Sequence, residues 1–205
     1  MTTRFITLEG GEGVGKTTQL HALAEVLRGC GLSVVTTREP GGSEGAEAIR
    51  RLLLEGGEER WSAEAEALLF AAARTSHVHS TIRPALARGK WVLCDRFLDS
   101  SLAYQGVAGG LGVEAVRAVN LFGVGDCLPD RTLLLVAPEG AERARARDGD
   151  RADRIGGRPS EYHSQVEQAF LNLARNEPGR VRLIDASGTP DQVTARLLAE
   201  LEDLL

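Results

Sequence analysis

The sequence predicts an α/β protein built on a parallel sheet with helices on both faces. Three observations carry this. Short apolar runs alternate with segments of helical periodicity along the chain. One of those runs, Lys90–Asp95, is apolar with almost no interruption, as a strand buried on both faces requires. A glycine-rich turn, "GGEGVGKT" from Gly10 to Thr17, separates the first strand pattern from the first helical pattern. Sheets of this class bind anions at that place.

The elements follow in order. "RFITLE" (Arg4–Glu9) reads as a strand, and Leu20, Leu23 and Leu27 form the apolar stripe of a helix that Gly29 and Gly31 end. "LSVVTT" (Leu32–Thr37) is a second strand, followed by the loop "REPGGS" and a helix through Ile49, Leu52 and Leu53. Ser62 is placed to cap a further helix carrying Ala65, Leu68 and Leu69, with Glu64 and Glu66 in its first turn, where the helix dipole favours them. Lys90–Asp95, Thr132–Ala137 and Val181–Ala186 are the remaining strands. The last helix is the best marked: Thr189 and Gln192 form a capping box, Pro190 takes the first helical position, and Val193, Leu197 and Leu201 face the core. Two stretches fit the alternation poorly. They are Arg96–Arg131, helical without a strand, and Arg143–Ser160, rich in arginine, aspartate and glycine.

A chain of 205 residues supports a single domain with a sizeable core. With 42 % apolar and 26 % charged residues it is an ordinary folded protein and not a disordered one. No apolar run approaches the roughly 20 residues that span a membrane, and "MTTRFITLEG" does not read as a secretory leader. Cys30, Cys94 and Cys127 are odd in number and far apart, which suits reduced thiols in the cytoplasm better than a disulfide framework or a metal site. A net charge of −5 argues against a broad nucleic-acid surface.

Gly10, Gly15, Lys16 and Thr17 fit the phosphate-loop spacing G-x-x-x-x-G-K-[ST], with a strand before and a helix after. Backbone N–H groups must converge on phosphate oxygens, and residues without a Cβ permit that approach. Lys16 supplies charge to the β- and γ-phosphates, and the Thr17 hydroxyl suits a Mg²⁺ shell. Gly10, Gly11, Glu12, Gly13, Val14, Gly15, Lys16, Thr17 and Thr18 are therefore the expected nucleotide loop, with ATP and Mg²⁺ as cofactors. Asp95 ends a buried strand at the same crevice and is the second expected Mg²⁺ contact. The Asn-Lys-x-Asp element of guanine-specific switches and the Leu-Ser-Gly-Gly signature of transporter ATPases are both missing from the sequence. A small-molecule kinase remains.

Six segments narrow this further: "TLEGGEGVGKTTQ", "TREPGG", "LLFAAARTSHV", "CDRFLDSSLAYQG", "PDRTLLL" and "ADRIGGRPSEYH". In order and spacing they resemble the thymidylate kinases, which phosphorylate dTMP to dTDP with ATP. The resemblance covers residues 4 to about 175, and the arginines near Arg143–Arg154 look like those of the bacterial type. It implies a P-loop NTPase-type sheet of five parallel strands in order 2-3-1-4-5 with an arginine-rich lid at about 143–160, as one domain spanning 1–205, and a homodimer. Two rivals stay open: another nucleoside monophosphate kinase, and a nucleotide-binding module without turnover.

Phe70 and Arg74 stand four apart on one helix face. Read alone they are a core residue and a solvated charge; the resemblance assigns them to stacking on thymine and to a base carbonyl. It assigns Arg96 and Arg50 to the monophosphate, which arginine grips in bidentate fashion, and Tyr104 to the floor of the sugar, where a 2′-OH would clash. Ser101 and Gln105 are expected at the base edges, and Glu39 and Pro40 shape the acceptor loop next to Arg38. Glu12, a carboxylate beside a triphosphate, is expected to face away from it; the resemblance directs it to the 3′-OH of dTMP. If helical, Arg143, Arg147, Arg151 and Arg154 share one face of a lid, and Arg147 and Arg154 are the expected contacts to the transferring phosphoryl group, beside Lys16 and Arg96. His77 and His79 stand two apart and suit no metal pair; His21 and His163 read as surface residues. Val136 and Ala73 depart from the family, which often has Asp at both positions.

Overall fold

The computed structural model describes residues 3–137 and 153–205. Five strands form one sheet in the order β2-β3-β1-β4-β5, and every neighbouring pair is parallel. They are β1 (Phe5–Glu9), β2 (Val34–Arg38), β3 (Trp91–Asp95), β4 (Arg131–Val136) and β5 (Val181–Asp185). The order matches the one expected. Pairing of Leu8 with Asp95 in β1 and β3 brings Glu9-Gly10 and Asp95-Arg96 side by side at the carboxyl edge. Arg96 N–H continues the ladder to the Leu8 carbonyl at 2.9 Å.

Side-chain alternation sorts the strands into two cores. On one face α1 (Lys16–Gly29) brings Leu20, Leu23 and Leu27 against Ile6, Leu8, Leu93, Leu133 and Leu135. The last helix, α8 (Pro190–Ala199), adds Val193 and Leu197, with Leu201 just beyond it. Its capping box is formed as expected, with Gln192 reaching back to the Thr189 N–H. On the other face lie α2 (Glu44–Leu54), α3 (Ala63–His77), the short α4 (Arg83–Ala87) and α5 (Leu98–Ser101), α6 (Val113–Val124) and α7 (Ser160–Asn176). Val78–Ile82 and Leu102–Ala108 are π-helical turns that extend α3 and α5. Phe5, Val92, Phe97 and Leu102 pack there, and Tyr104, Val166 and Phe170 form a neighbouring cluster.

Three expectations are adjusted. Strand β2 begins at Val34 and not at Leu32. In α3 the Ser62 cap is present, its hydroxyl accepting from the Ala65 N–H at 3.2 Å. The helix, however, is rotated relative to the apolar count: Leu68 is 57 % exposed while Glu66, Arg74 and His77 are buried. Those polar groups find partners inside, so burial follows hydrogen bonding and not hydropathy. Finally, Arg154 stands in a turn, not on a helix; Arg143, Arg147 and Arg151 lie outside the described residues. Of the histidines, His21 is exposed and His163 half-buried, with its Nε2 3.3 Å from the Gly156 carbonyl. The three cysteines are unbonded, Cys94 and Cys127 in the core and Cys30 exposed. Among the described residues no helix is long and apolar enough to cross a membrane.

Candidate active site

A cavity of about 300 Å³ opens at the carboxyl edge of β1, β2 and β3. The phosphate loop lines one end with Gly13, Gly15, Lys16, Thr17 and Thr18. Its close approach to the sheet needs glycine at Gly10, where an added Cβ would lie 2.3 Å from the Leu135 carbonyl oxygen. Gly15 takes a left-handed conformation (φ 88°) as the N-cap of α1, turning the helix N-terminus toward the cavity.

Lys16 Nζ donates to the carbonyls of Gly11 at 2.6 Å and Gly10 at 3.2 Å, folding the side chain over the loop. Burial, reinforced by Arg96, pushes its ammonium down to about 8, against the opposing pull of Glu12, Asp95 and Glu9. The Thr17 hydroxyl donates to Asp95 Oδ2 at 2.6 Å. This is a hard-oxygen pair beside a phosphate cradle, the donor chemistry that Mg²⁺ takes when phosphates complete its shell. No group of three or more His, Cys, Asp or Glu suited to a metal occurs among the described residues.

Arg96 is the hub of the cavity. It is the one described non-glycine residue with positive φ (68°). This turns its side chain back across the mouth of the loop. Nη1 donates to the Gly10 carbonyl at 3.0 Å and Ser100 Oγ at 3.1 Å; Nη2 donates to Glu12 Oε1 at 2.6 Å and the Tyr104 hydroxyl at 3.3 Å. Its guanidinium carbon stands 5.2 Å from the Tyr104 ring centroid. Arg96 holds the Glu12 carboxyl down to about 2 despite its burial. Burial pushes the Tyr104 phenol up, so it stays a donor, and it gives its proton to Glu12 Oε1 at 3.2 Å.

Beneath this lies Glu9, a fully buried carboxylate that the sequence reading left unassigned. Its Oε1 accepts from the Phe97 N–H at 2.7 Å and the Ser100 N–H at 3.3 Å, and its Oε2 from Ser100 Oγ at 2.6 Å. Glu9 thereby pins the turn that carries Arg96. Burial, with Asp99 near, pushes its carboxyl up to about 7.

The other end of the cavity is lined by Pro40, Arg50, Phe70, Arg74, Ser101 and Gln105. Phe70 is half-buried against the Tyr104 cluster. Arg74 is 2 % exposed, not the solvated charge its sequence context suggests. Its Nε donates to Glu39 Oε2 at 2.7 Å and Nη1 to Ser101 Oγ at 2.9 Å and to Asn120 Oδ1; Nη2 donates to the Phe97 carbonyl at 2.9 Å. Glu39 is therefore engaged in an ion pair, and its second oxygen is 2.9 Å from His77 Nδ1. Arg50 Nη1 donates to the Pro40 carbonyl at 2.6 Å, and Arg38 faces Glu47 at 3.2 Å. Arg51 points outward.

Arg154 does not line the cavity. Its guanidinium is fully buried, with Nη2 2.5 Å from Glu66 Oε2 and Nε donating to the Leu53 carbonyl at 2.8 Å. These contacts tie Arg154 to α2 and α3, so the side chain expected at the transferring phosphoryl group stands here outside the cavity lining. Asp153 and Ile155 beside it do line the cavity. Sequence reasoning passed over Glu66 as a helix-dipole residue. The one available signal was its spacing: Glu66, Phe70 and Arg74 stand four apart on one helical stripe.

The family profile described as Thymidylate kinase matches residues 8–197. A protein of Rhizorhabdus wittichii named thymidylate kinase is 59 % identical over 207 residues, covering 100 % of both chains. One of the same name from Bradyrhizobium diazoefficiens is 47 % identical over 205 residues, covering 98 % of this chain and 90 % of that one. Among solved structures, the crystal structure of a thymidylate kinase from Ehrlichia chaffeensis superposes with a TM-score of 0.82 at 30 % identity, covering 98 % of this chain and 100 % of that one. With the family profile matched over most of the chain and relatives of this name matched over nearly their whole length, the chain belongs to the thymidylate kinase family.

Proposed function

We propose that the protein transfers the γ-phosphoryl group of ATP to dTMP, giving dTDP and ADP. One observation carries the reading: a single cavity is lined at one end by the phosphate loop and at the other by an aromatic ring, a buried arginine and an amide. A donor phosphate and an acceptor nucleotide bound at those two ends would share one cavity, and positioning with charge neutralisation is most of what phosphoryl transfer requires. The attacking oxygen is an ionised phosphate, so no general base is needed.

The residues Gly10–Thr18 cradle the ATP phosphates, with Lys16 on the β- and γ-oxygens. Thr17 and Asp95 would hold Mg²⁺, which supplies charge neutralisation between the phosphates. Arg96 and Arg50 receive the acceptor phosphate: Arg96 exchanges part of its grip on Glu12 for a bidentate contact, and Glu12 is freed to accept from the sugar 3′-OH. Phe70 stacks on the thymine, Arg74 keeps one Nη2–H for a base carbonyl, and Ser101 and Gln105 meet the base edge. Tyr104 floors the sugar. Glu39 and Pro40 act through Arg74 and Arg50, which they hold. Arg147 is the lid arginine assigned to the transferring group. The enzyme works as a cytoplasmic homodimer; in support, the mutually packed α3 and α6 leave Leu68, Val119 and Phe122 exposed, Phe122 at 96 %.

Phosphorus NMR of ATP, Mg²⁺ and dTMP with the enzyme tests the reading. The β-phosphate signals of dTDP and ADP should grow together, and Lys16→Ala should remove most of that turnover. ATP bound without any diphosphate formed, or a Lys16→Ala variant as active as the parent, contradicts it.

A further inference from the structure

Gln105 is 3 % exposed and borders the cavity, so how its amide is turned decides what the base edge meets. Amide oxygen and nitrogen are told apart by their partners. The partner here is Glu66 Oε1, 2.9 Å from Gln105 Nε2. A carboxylate only accepts, so the atom facing it must be the nitrogen. The opposite atom, Gln105 Oε1, accepts no hydrogen bond from any described residue. It is also not one of the buried atoms without a partner, which among the described residues are the Nε atoms of Arg4, Arg83, Arg131 and Arg182. That oxygen therefore opens on the cavity.

Glu66 itself cannot turn. Its Oε2 is gripped by Arg154 Nη2 at 2.5 Å and Arg158 Nη2 at 2.6 Å. Arg158 in turn lies 4.5 Å above the Tyr162 ring, whose hydroxyl donates to the Tyr104 carbonyl at 2.8 Å. One carboxylate thus ties the chain at 153–158 to the turn carrying Tyr104 and Gln105.

We propose that Glu66 is a specificity-determining positioning residue, which fixes the Gln105 amide with its carbonyl oxygen facing the acceptor base. The inference rests on the reading of Gln105 as a base contact. A fixed amide offers the base an acceptor beside its second Nε2–H. That edge complements an imide, whose N3–H donates next to a carbonyl. It opposes cytosine, whose N3 accepts next to an amino group. An amide free to flip would serve both. The two arginines hold the charge of Glu66 in place and so forbid the flip.

The test compares dTMP with 5-methyl-dCMP, which differs from it only along this edge, in the parent, Glu66→Gln and Gln105→Met. Gln at 66 still accepts from an arginine but can also donate, so the amide is unlocked. The expected result is that the kcat/KM ratio of dTMP over 5-methyl-dCMP falls about tenfold or more in Glu66→Gln, through a raised dTMP KM with the ATP KM unchanged. Gln105→Met should lose the ratio as well. A ratio kept in Glu66→Gln but lost in Gln105→Met overturns the lock and leaves the base contact standing. A ratio kept in both overturns the base contact and the lock with it. If circular dichroism shows Glu66→Gln unfolded, the double variant Glu66→Met/Arg154→Met removes both charges together, and a retained ratio there overturns the proposal. The parent protein gives a further readout. The Gln105 side-chain amide, assigned by the loss of its signals in Gln105→Met, should show a high nitrogen order parameter and slow exchange with solvent, and a low order parameter contradicts the lock.

Discussion

Arg96 Nη2 lies 2.6 Å from Glu12 Oε1, and the Tyr104 hydroxyl donates to the same oxygen at 3.2 Å. An acidic residue inside a phosphate loop is thereby neutralised by the arginine that crosses the mouth of that loop. The carboxylate is held by Arg96 and Tyr104, both of which line the cavity. On the function proposed above, the loop would serve both substrates: its glycines and lysine the donor, Glu12 the acceptor.

Glu12→Ala should therefore damage acceptor use. Removing the carboxylate frees Arg96 and takes away the partner proposed for the 3′-OH. Initial-rate kinetics should show kcat/KM for dTMP falling on the order of tenfold or more, with the ATP KM nearly unchanged. An effect confined to ATP would assign Glu12 to the donor side.

The lowered ammonium of Lys16 makes donor binding sensitive to alkali. The free enzyme carries the charge below about 8 and loses it above. Since kcat/KM reports the free enzyme, the profile for ATP should bend downward near that pH. Lys16→Arg, whose guanidinium stays charged, should lack the bend even if its rate is low. A wild-type profile flat through pH 9 would show that the buried ammonium is not depressed.

Glu9 makes the opposite contribution to stability. Below the ordinary carboxyl value of 4.5 both folded and unfolded chains hold the proton; between that and about 7 the unfolded chain releases it first. The unfolded state then binds fewer protons, so stability falls as pH rises through this window. Urea unfolding at pH 5 and pH 7 should show a larger loss for the parent than for Glu9→Gln. Equal losses would place Glu9 in a less costly environment than its burial implies.

At the far end of the chain the Thr189 hydroxyl accepts from the Gln192 N–H at 3.4 Å, and the Gln192 side chain returns to the Thr189 N–H at 3.0 Å. Thr189→Ala should cost about 1 kcal/mol, read as a lower denaturation midpoint with unchanged turnover. A variant as stable as the parent would mean that helix α8 is held by Val193 and Leu197 alone.

That helix also shows what the sequence made legible. Cap, first-turn proline and apolar stripe are local features at fixed offsets, and all were found where the pattern put them. The phosphate loop was legible for the same reason. Glu66 and Glu9 were not: each is a carboxylate in a regular element, and what makes it part of the site is a partner far along the chain. Arg154 stands 88 positions from Glu66, and Phe97 stands 88 from Glu9. The exposed Leu68 belongs to the same lesson, since α3 turned its polar face inward to meet those partners. Arg154 was read from its neighbours as a lid charge, while its burial was decided by Glu66 and the Leu53 carbonyl.

The most direct measurement is ADP release from ATP with dTMP, dUMP, dCMP and AMP offered in turn to the same enzyme. The account predicts that dTMP is used best. It predicts that dUMP, lacking one methyl, follows within about 1–3 kcal/mol of transition-state binding, and that dCMP and AMP fall much further behind because they mismatch a hydrogen-bonding edge. Turnover of AMP or dCMP equal to that of dTMP would contradict it.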